Sequence, residues 1–304
     1  MKEIFRFQVE DAFHRKRLDE FIFSKFPLVS RIYLRRQIRD GKCEVNGNVE
    51  NRGYVLRKND FVEIEIEIDD TKNFQPEPVD FRIFYEEEDF LVIDKPAGMI
   101  VHPTKEVRSG TLLNGLAYYF ESKGCGLLRA GLVHRLDKET SGLMVIAKNP
   151  EALRILAGEF QRKRVEKRYF ALVEGNIDAD EGTIEAPIGK FKDVHFWGVK
   201  SDGKPSKTNF WVRQRFDELT LLELEPVTGR TNQLRVHLSH IGHPIVGDEK
   251  YGGRKFSRLC LHSSKLAFFH PRTKERMLFE TQVPEDFNLG SFSKQELEFS
   301  KLSE

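Results

Sequence analysis

Cysteine is scarce in this chain: three in 304 residues, Cys43, Cys125 and Cys260, far apart and forming no CxxC pair. That spacing offers neither a disulfide framework nor a cysteine zinc site, and it suits a reducing cytoplasm. No run approaches the roughly 20 apolar residues needed to cross a bilayer. The opening MKEIFRFQVED lacks the apolar core of an export signal, so a cytoplasmic location is expected. Net charge is small too, +1 from 49 basic and 48 acidic residues, and no internal repeat is visible. What is present, 39% hydrophobic and 32% charged residues, describes a soluble globular protein of about two domains.

The near-neutral total conceals an uneven layout. Residues 15–58 carry 12 Lys/Arg against 5 Asp/Glu, a net of +7. Residues 59–90 carry 12 acidic against 2 basic residues, a net of −10. A basic module at one end of a chain either meets nucleic acid or simply solvates one face. Leu18, Phe21 and Ile22 recur at the spacing of a short helix that Pro27 ends. Ser30 is placed to cap a second helix running to Asp40 and stopped by Gly41. On that helix Leu34 and Ile38 share one face; Arg31, Arg35 and Arg39 recur every four residues on another, with Arg36 alongside. Like charges at that spacing repel, which suggests a polyanionic partner. Lys42 to Val49 alternates around Asn46-Gly47, a tight-hairpin signal. Phe61 to Ile68 then alternates strictly, with Val62, Ile64, Ile66 and Ile68 on the inner face. Over residues 16–68 this pattern resembles the small RNA-binding domain named after ribosomal protein S-four. The resemblance implies that Arg31, Arg35, Arg36, Arg39 and Lys42 contact RNA phosphates without reading sequence. Residues 1–68 are read as that domain, and the acidic, proline-containing residues 69–80 as an extended linker.

Downstream, Phe81 to Tyr85 and Phe90 to Asp94 read as strands around an acidic turn. Leu112, Leu113, Leu116 and Tyr119 mark a helix capped near Thr111; Pro150 opens another that ends in Gln161-Arg-Lys-Arg164. Leu143 to Ala147 is an apolar strand, Arg168 to Val173 another, and the chain is β-rich from Gly182 onward. The order predicts an α+β fold with a mixed sheet over residues 81–288, followed by a polar tail over 289–304.

The most informative stretch is Gly131-Leu-Val-His-Arg-Leu-Asp-Lys-Glu-Thr-Ser-Gly142, directly ahead of the Leu143 strand. It places His134, Arg135 and Asp137 on a turn fed into a rigid element, where functional side chains are often held. Spacing alone fits equally an Asp–Arg ion pair pinning a loop. The segment HRLDKETSGL closely resembles the motif of the RluA-type pseudouridine synthases, and three further segments extend the likeness over residues 81–285. They are Lys167-Arg-Tyr-Phe-Ala-Leu-Val-Glu-Gly175, Pro226-Val-Thr-Gly-Arg-Thr-Asn-Gln-Leu-Arg-Val-His-Leu238 and Cys260-Leu-His-Ser-Ser-Lys-Leu-Ala-Phe-Phe-His-Pro271. The resemblance implies a cleft across a mixed sheet with Asp137 as catalytic residue, Tyr169 as the active-site tyrosine and Arg235 as partner of the Asp. It further implies Leu261 near the cleft, Arg135 filling the space left by a flipped uridine, and His134 at the substrate turn, where buttressing is its expected part. Asn232 stands where the family usually has His, a change expected to alter loop geometry more than chemistry.

Pseudouridine formation breaks the base–sugar bond of uridine in RNA, turns the uracil and rejoins it through a ring carbon. It involves no redox step and loses no atom, so it demands neither cofactor nor metal. An ionised carboxylate serves as nucleophile at the anomeric carbon or as base toward a sugar proton, and the residues do not choose between these routes. A guanidinium such as Arg235 counters the desolvation that would otherwise protonate Asp137. The basic run Arg162, Lys163, Arg164, Lys167 and Arg168 reads as a cleft rim touching RNA backbone, or as a helix end rich in cations. His237, His240 and His243 recur every three residues as metal ligands on one helix face would, the mark of a competing zinc hydrolase reading. A second alternative is a catalytically inactive RNA-binding or ribosome-assembly protein. The resemblance implies action on structured RNA, with large-subunit ribosomal RNA favoured over transfer RNA; a monomer without membrane or metal partner is expected.

Overall fold

The computed structural model describes residues 2–26, 29, 31–67, 75–104, 106–123, 131–191, 193–194 and 196–292. Pro27, Ser30, Ile68 and Cys125 lie outside them. The chain divides into two compact units, Met1–Pro76 and Glu77–Glu304, a division that falls inside the segment read as a linker. No helix among the described residues is long and apolar enough to cross a membrane.

The first unit contains β1 (Lys2–Gln8), α1 (Leu18–Lys25), α2 (Arg31–Arg39), β2 (Cys43–Val45), β3 (Asn48–Val49) and β4 (Phe61–Glu67). Its sheet runs β1-β4-β2-β3. Asn46 and Gly47 both take positive φ, 52° and 78°, as a two-residue hairpin turn requires. The turn is fastened by the Asn46 amide, which donates to Asp60 and accepts from the Phe61 N–H. Val62, Ile64 and Ile66 close a core with Leu18, Phe21, Ile22, Leu34 and Ile38, as the periodicities predict. Strand β1 was not anticipated; it pairs along its whole length with β4, from Lys2↔Glu67 to Gln8↔Phe61.

The second unit contains β5 (Arg82–Glu86), β6 (Phe90–Lys95), α3 (Leu112–Ser122), β7 (Gly131–Leu132), β8 (Ser141–Ala147), α4 (Pro150–Gln161), β9 (Glu166–Glu174), β10 (Glu181–Glu185), β11 (Ile188–Phe191), β12 (Phe196–Val199), β13 (Lys207–Arg215), β14 (Leu219–Pro226), α5 (Gln233–His240), β15 (Leu261–Phe269) and β16 (Arg276–Glu280). Its large sheet runs β10-β13-β14-β9-β15-β8-β6-β5, with β16 on β15 and β7 on β8. Among the described residues one pair is parallel, β15 with β8, so the sheet is mixed and the class α+β as expected. The predicted Thr111 cap forms, and the helix predicted to open at Pro150 gains a cap from Asn149. Thr111 and Asn114 make a capping box on α3, and Asn149 accepts the Ala152 N–H ahead of Pro150 on α4. All seven residues of β8 are buried. Leu143, Val145 and Ala147 pack with Phe90, Ala152, Leu156 and Phe268, each large side chain contributing about 1.5–3 kcal/mol by burial. This strand is the rigid element that the HRLD turn enters.

Two glycines let that junction close. Gly142 has φ 110°, and a Cβ there would lie 2.3 Å from the Ser263 carbonyl oxygen of the parallel neighbour. At Gly131 a Cβ would lie 2.3 Å from the Ala147 oxygen. The expected tail begins later than its composition suggests: Leu289–Ser291 forms a short 3-10 turn, and the Phe292 ring meets Phe216 at 5.9 Å.

Candidate active site

Three neighbouring strands of the large sheet, β9, β15 and β8, supply or receive the residues singled out by sequence. Asp137 sits on the turn entering β8, Tyr169 and Lys167 project from one face of β9, and Leu261 opens β15. Together with Pro226 at the end of β14 and residues 228–232 of the loop to α5, they line one cavity of about 210 Å³ that also includes Arg135 and Arg235. Segments separated by more than a hundred residues therefore converge as the motifs imply.

Asp137 is half-buried, and its carboxylate makes no hydrogen bond or ion pair among the described residues; the backbone oxygen accepts from Thr140 N and shapes the turn. Burial raises its pKa, opposed by Arg235, Arg135 and Lys95 and reinforced by Asp248. The carboxylate thus faces the cavity unencumbered, its pKa raised by burial and drawn part of the way back by cations at a distance. Tyr169 is buried, and desolvation pushes its phenol up to about 12, which keeps the proton on it at neutral pH.

Arg235 departs from expectation in its contacts. Its guanidinium grips Asp248, not Asp137, through Nε to Oδ2 and Nη2 to Oδ1, both at 2.6 Å. Asp137 feels Arg235 as a nearby charge. Two parallel charge-assisted bonds fix the planar fork in direction as well as charge. Tyr251 completes the support, its ring under the Arg235 guanidinium at 4.8 Å. Asn232 donates from its side-chain amide to the Tyr251 hydroxyl at 2.9 Å while occupying the left-handed region at φ 53°. Asn tolerates that conformation well. Asn232 thus acts on the ring beneath Arg235.

A second support was missed. Lys95 is fully buried, and its Nζ donates to the carbonyls of Pro96 (2.8 Å), Met99 (2.9 Å) and Lys138 (3.0 Å). The last of these is adjacent to Asp137, so a buried cation ties the turn to the end of β6. Desolvation lowers its pKa to about 8. On the β8 side, Ser141 Oγ lies 2.7 Å from His262 Nδ1 and accepts from Arg258, while His262 Nε2 lies 2.8 Å from Thr281 Oγ1. Burial lowers the His262 pKa to about 4, leaving it neutral. The sequence signal for both supports was a polar residue embedded in an apolar strand, which gives no hint of its partner.

His134 turns away from the cavity. Its ring stacks on Phe160 at 4.4 Å and its Nε2 accepts the Val145 N–H at 3.1 Å. Desolvation lowers its pKa to about 3. A neutral acceptor packed behind the turn is a buttress, which corrects its inclusion among substrate-binding residues. The histidine series does not converge either. His237 lies 2.9 Å from Thr208 Oγ1 and 3.1 Å from the Ala186 oxygen, whereas His243 lies 2.8 Å from the Glu174 oxygen. Glu87, Asp89 and His270 do cluster, but Arg272 and Asn149 already donate to Asp89 and His270 meets Glu87 at 3.1 Å. A guanidinium occupies the place a cation would take.

The basic run resolves into separate roles. Arg162 and Arg164 both approach Glu159. Arg168 stacks on Trp211 at 4.2 Å among Glu166, Glu223 and Glu225, on the strand face opposite Tyr169. Lys167 alone of the five lines the cavity. In the first unit, Arg31 and Arg35 each lie over Phe23 at 5.2 Å, Arg39 pairs with Asp40 and Lys42 with Glu65. Their mutual repulsion is thus partly relieved inside the unit. Arg35, Arg36 and Arg39 still line a groove with Asn51 and Arg52.

With this geometry in place, comparison with known proteins is direct. Residues 89–240 match the family described as RNA pseudouridylate synthase. An uncharacterized RNA pseudouridine synthase of Bacillus subtilis (strain 168) is 42% identical over 277 residues, 89% of this chain and 91% of that protein. Ribosomal large subunit pseudouridine synthase D of Pasteurella multocida (strain Pm70) is 39% identical over 292 residues, 90% of this chain and 89% of that protein. Among solved structures, human RNA pseudouridylate synthase domain containing 1 superposes with a TM-score of 0.61 at 32% identity, covering 74% of this chain and 92% of that one. The fold, the cavity and these likenesses agree, and the chain belongs to the RNA pseudouridylate synthase family.

Proposed function

We propose that this enzyme isomerises uridines of large-subunit ribosomal RNA, with Asp137 as the catalytic carboxylate. The substrate class is carried over from relatives named ribosomal large subunit pseudouridine synthase D. The observation that carries the site assignment is the single cavity holding an unpaired Asp137, a protonated Tyr169 and a clamped Arg235. Asp137 attacks the anomeric carbon or removes a sugar proton; either route needs the ionised form that Arg235, Arg135 and Lys95 favour. Tyr169 and Leu261 offer flat and apolar surface to the detached uracil. A paired uridine reaches the cavity only by flipping, at a cost of a few kcal/mol, and exposed Arg135 at the mouth occupies the vacated place. Residues 1–68 act as an RNA-binding domain of the ribosomal protein S-four type, joined to the catalytic residues 81–288 by the 69–80 linker. Pseudouridine mapping of total RNA from a deletion strain tests the reading. Loss of one or more sites in large-subunit RNA, restored by the intact gene, is expected; an unchanged map would refute it.

A further inference from the structure

Four cations line the cavity: Arg135, Lys167, Arg230 and Arg235. Two are engaged, Arg235 by Asp248 and Arg230 by the Pro205 carbonyl. Arg135 is exposed and keeps its hydration. Lys167 is different. It is half-buried, and among the described residues it makes no ion pair and no side-chain hydrogen bond. Every arginine of the surrounding basic run, by contrast, lies within 4 Å of a carboxylate. A half-dehydrated ammonium without a counter-ion is unfavourable on its own and becomes favourable when an anion arrives.

An RNA substrate narrows what that anion is. At neutral pH uracil and ribose carry no charge, so the phosphodiester is the anionic group a uridine site receives. Lys167 and Tyr169 share one face of β9, two residues and about 7 Å apart, a separation spanned within a single nucleotide. On this face Tyr169 is buried and Lys167 half-buried, and beyond buried Val165 the preceding turn is exposed at Arg162, Lys163 and Arg164. The base on Tyr169 is therefore deep and Lys167 lies toward the mouth, where the backbone of a flipped nucleotide stays. We propose that Lys167 binds a phosphate flanking the target uridine and so seats the flipped nucleotide over Asp137. This rests on the pseudouridine synthase reading above. The lowered pKa of Lys167, caused by burial and by Lys163, fits a cation awaiting its counter-ion.

The test uses full-length enzyme and a large-subunit RNA fragment that it modifies, with methylphosphonate placed singly at the linkages flanking the uridine. In the wild-type enzyme one neutral linkage should weaken KM by about tenfold or more. Lys167→Met should produce a similar loss on the unmodified RNA, lower the salt slope by about 0.7, and be indifferent to that same linkage. Lys167→Arg should recover most of the affinity and the linkage sensitivity. Indifference of the wild-type enzyme to charge at every flanking linkage overturns the proposal, whatever the variants do. So does loss of kcat at saturating RNA in both variants with affinity intact, because Lys167 would then serve in proton transfer. A wild-type enzyme that modifies no RNA would instead defeat the functional reading on which the proposal rests.

Discussion

Replacing Asp248 by Asn should damage the enzyme without altering any group proposed to touch uridine. The Arg235–Asp248 pair is nearly dry, with side chains 12% and 1% exposed. Removing one partner of such a pair costs about 3–5 kcal/mol. The amide keeps one acceptor for the guanidinium, so about 2–4 kcal/mol is expected here. For a unit of roughly 150–250 residues that lowers the melting temperature by about 4–16 °C. Activity should fall further than stability explains, because the freed fork can turn onto Asp137 and mask it. Asp248 also raises the Asp137 pKa, so its loss should move the acid limb of the pH profile to lower pH. Thermal melting monitored by circular dichroism reads the first effect, and tritium release from labelled uridine reads the others. A double-mutant cycle with Arg235→Met isolates the pair, since the double variant should be less destabilised than the two singles summed. An unchanged melting temperature with full turnover would refute the clamp.

Turnover should follow a bell-shaped pH profile. Asp137 works ionised and its pKa is raised above the ordinary 3.8, so activity should fall as pH drops through that elevated value. Lys95 loses its proton near 8, and a neutral amine has two N–H groups for three carbonyls, so the turn should loosen and kcat decline on the alkaline side. A profile flat across neutral and mildly alkaline pH would count against the Lys95 tether. Truncation before Pro76 should leave a folded unit that modifies short RNA at high concentration but binds the full target more weakly. Its slope of log affinity against log salt should be shallower by about 0.7–0.9 for every phosphate it no longer touches, and an equal slope would remove the arginine helix from the RNA interface.

Local rules read much of this molecule correctly. The Thr111 cap, the Pro150 helix start, the Asn46-Gly47 turn and the apolar run of β8 are decided within a few residues, and each formed as expected. Strand β1 escaped because its partner β4 lies more than fifty residues away and is itself recognisable without it. Motif resemblance brought Asp137, Tyr169, Arg235 and Leu261 to one cavity, yet misjudged which carboxylate holds the arginine. That choice depends on the turn between α5 and β15 bringing Asp248 back across thirteen positions, which no local pattern encodes. Lys95 was hidden for a similar reason: its acceptors are backbone carbonyls, one of them 43 positions away. Strand periodicity did hold the answer for the basic run, since Lys167 and Arg168 must face opposite sides of β9.

Single-turnover tritium release by Asp137→Asn at saturating RNA tests the central claim most directly. The amide is nearly isosteric and breaks no hydrogen bond, because the Asp137 carboxylate makes none among the described residues. RNA affinity and melting temperature should therefore match the parent, while isomerisation should fall far beyond the roughly tenfold loss, about 1.4 kcal/mol, that a mere positioning group would show. Turnover near the parental rate, with binding intact, would contradict the assignment of Asp137 as the catalytic carboxylate.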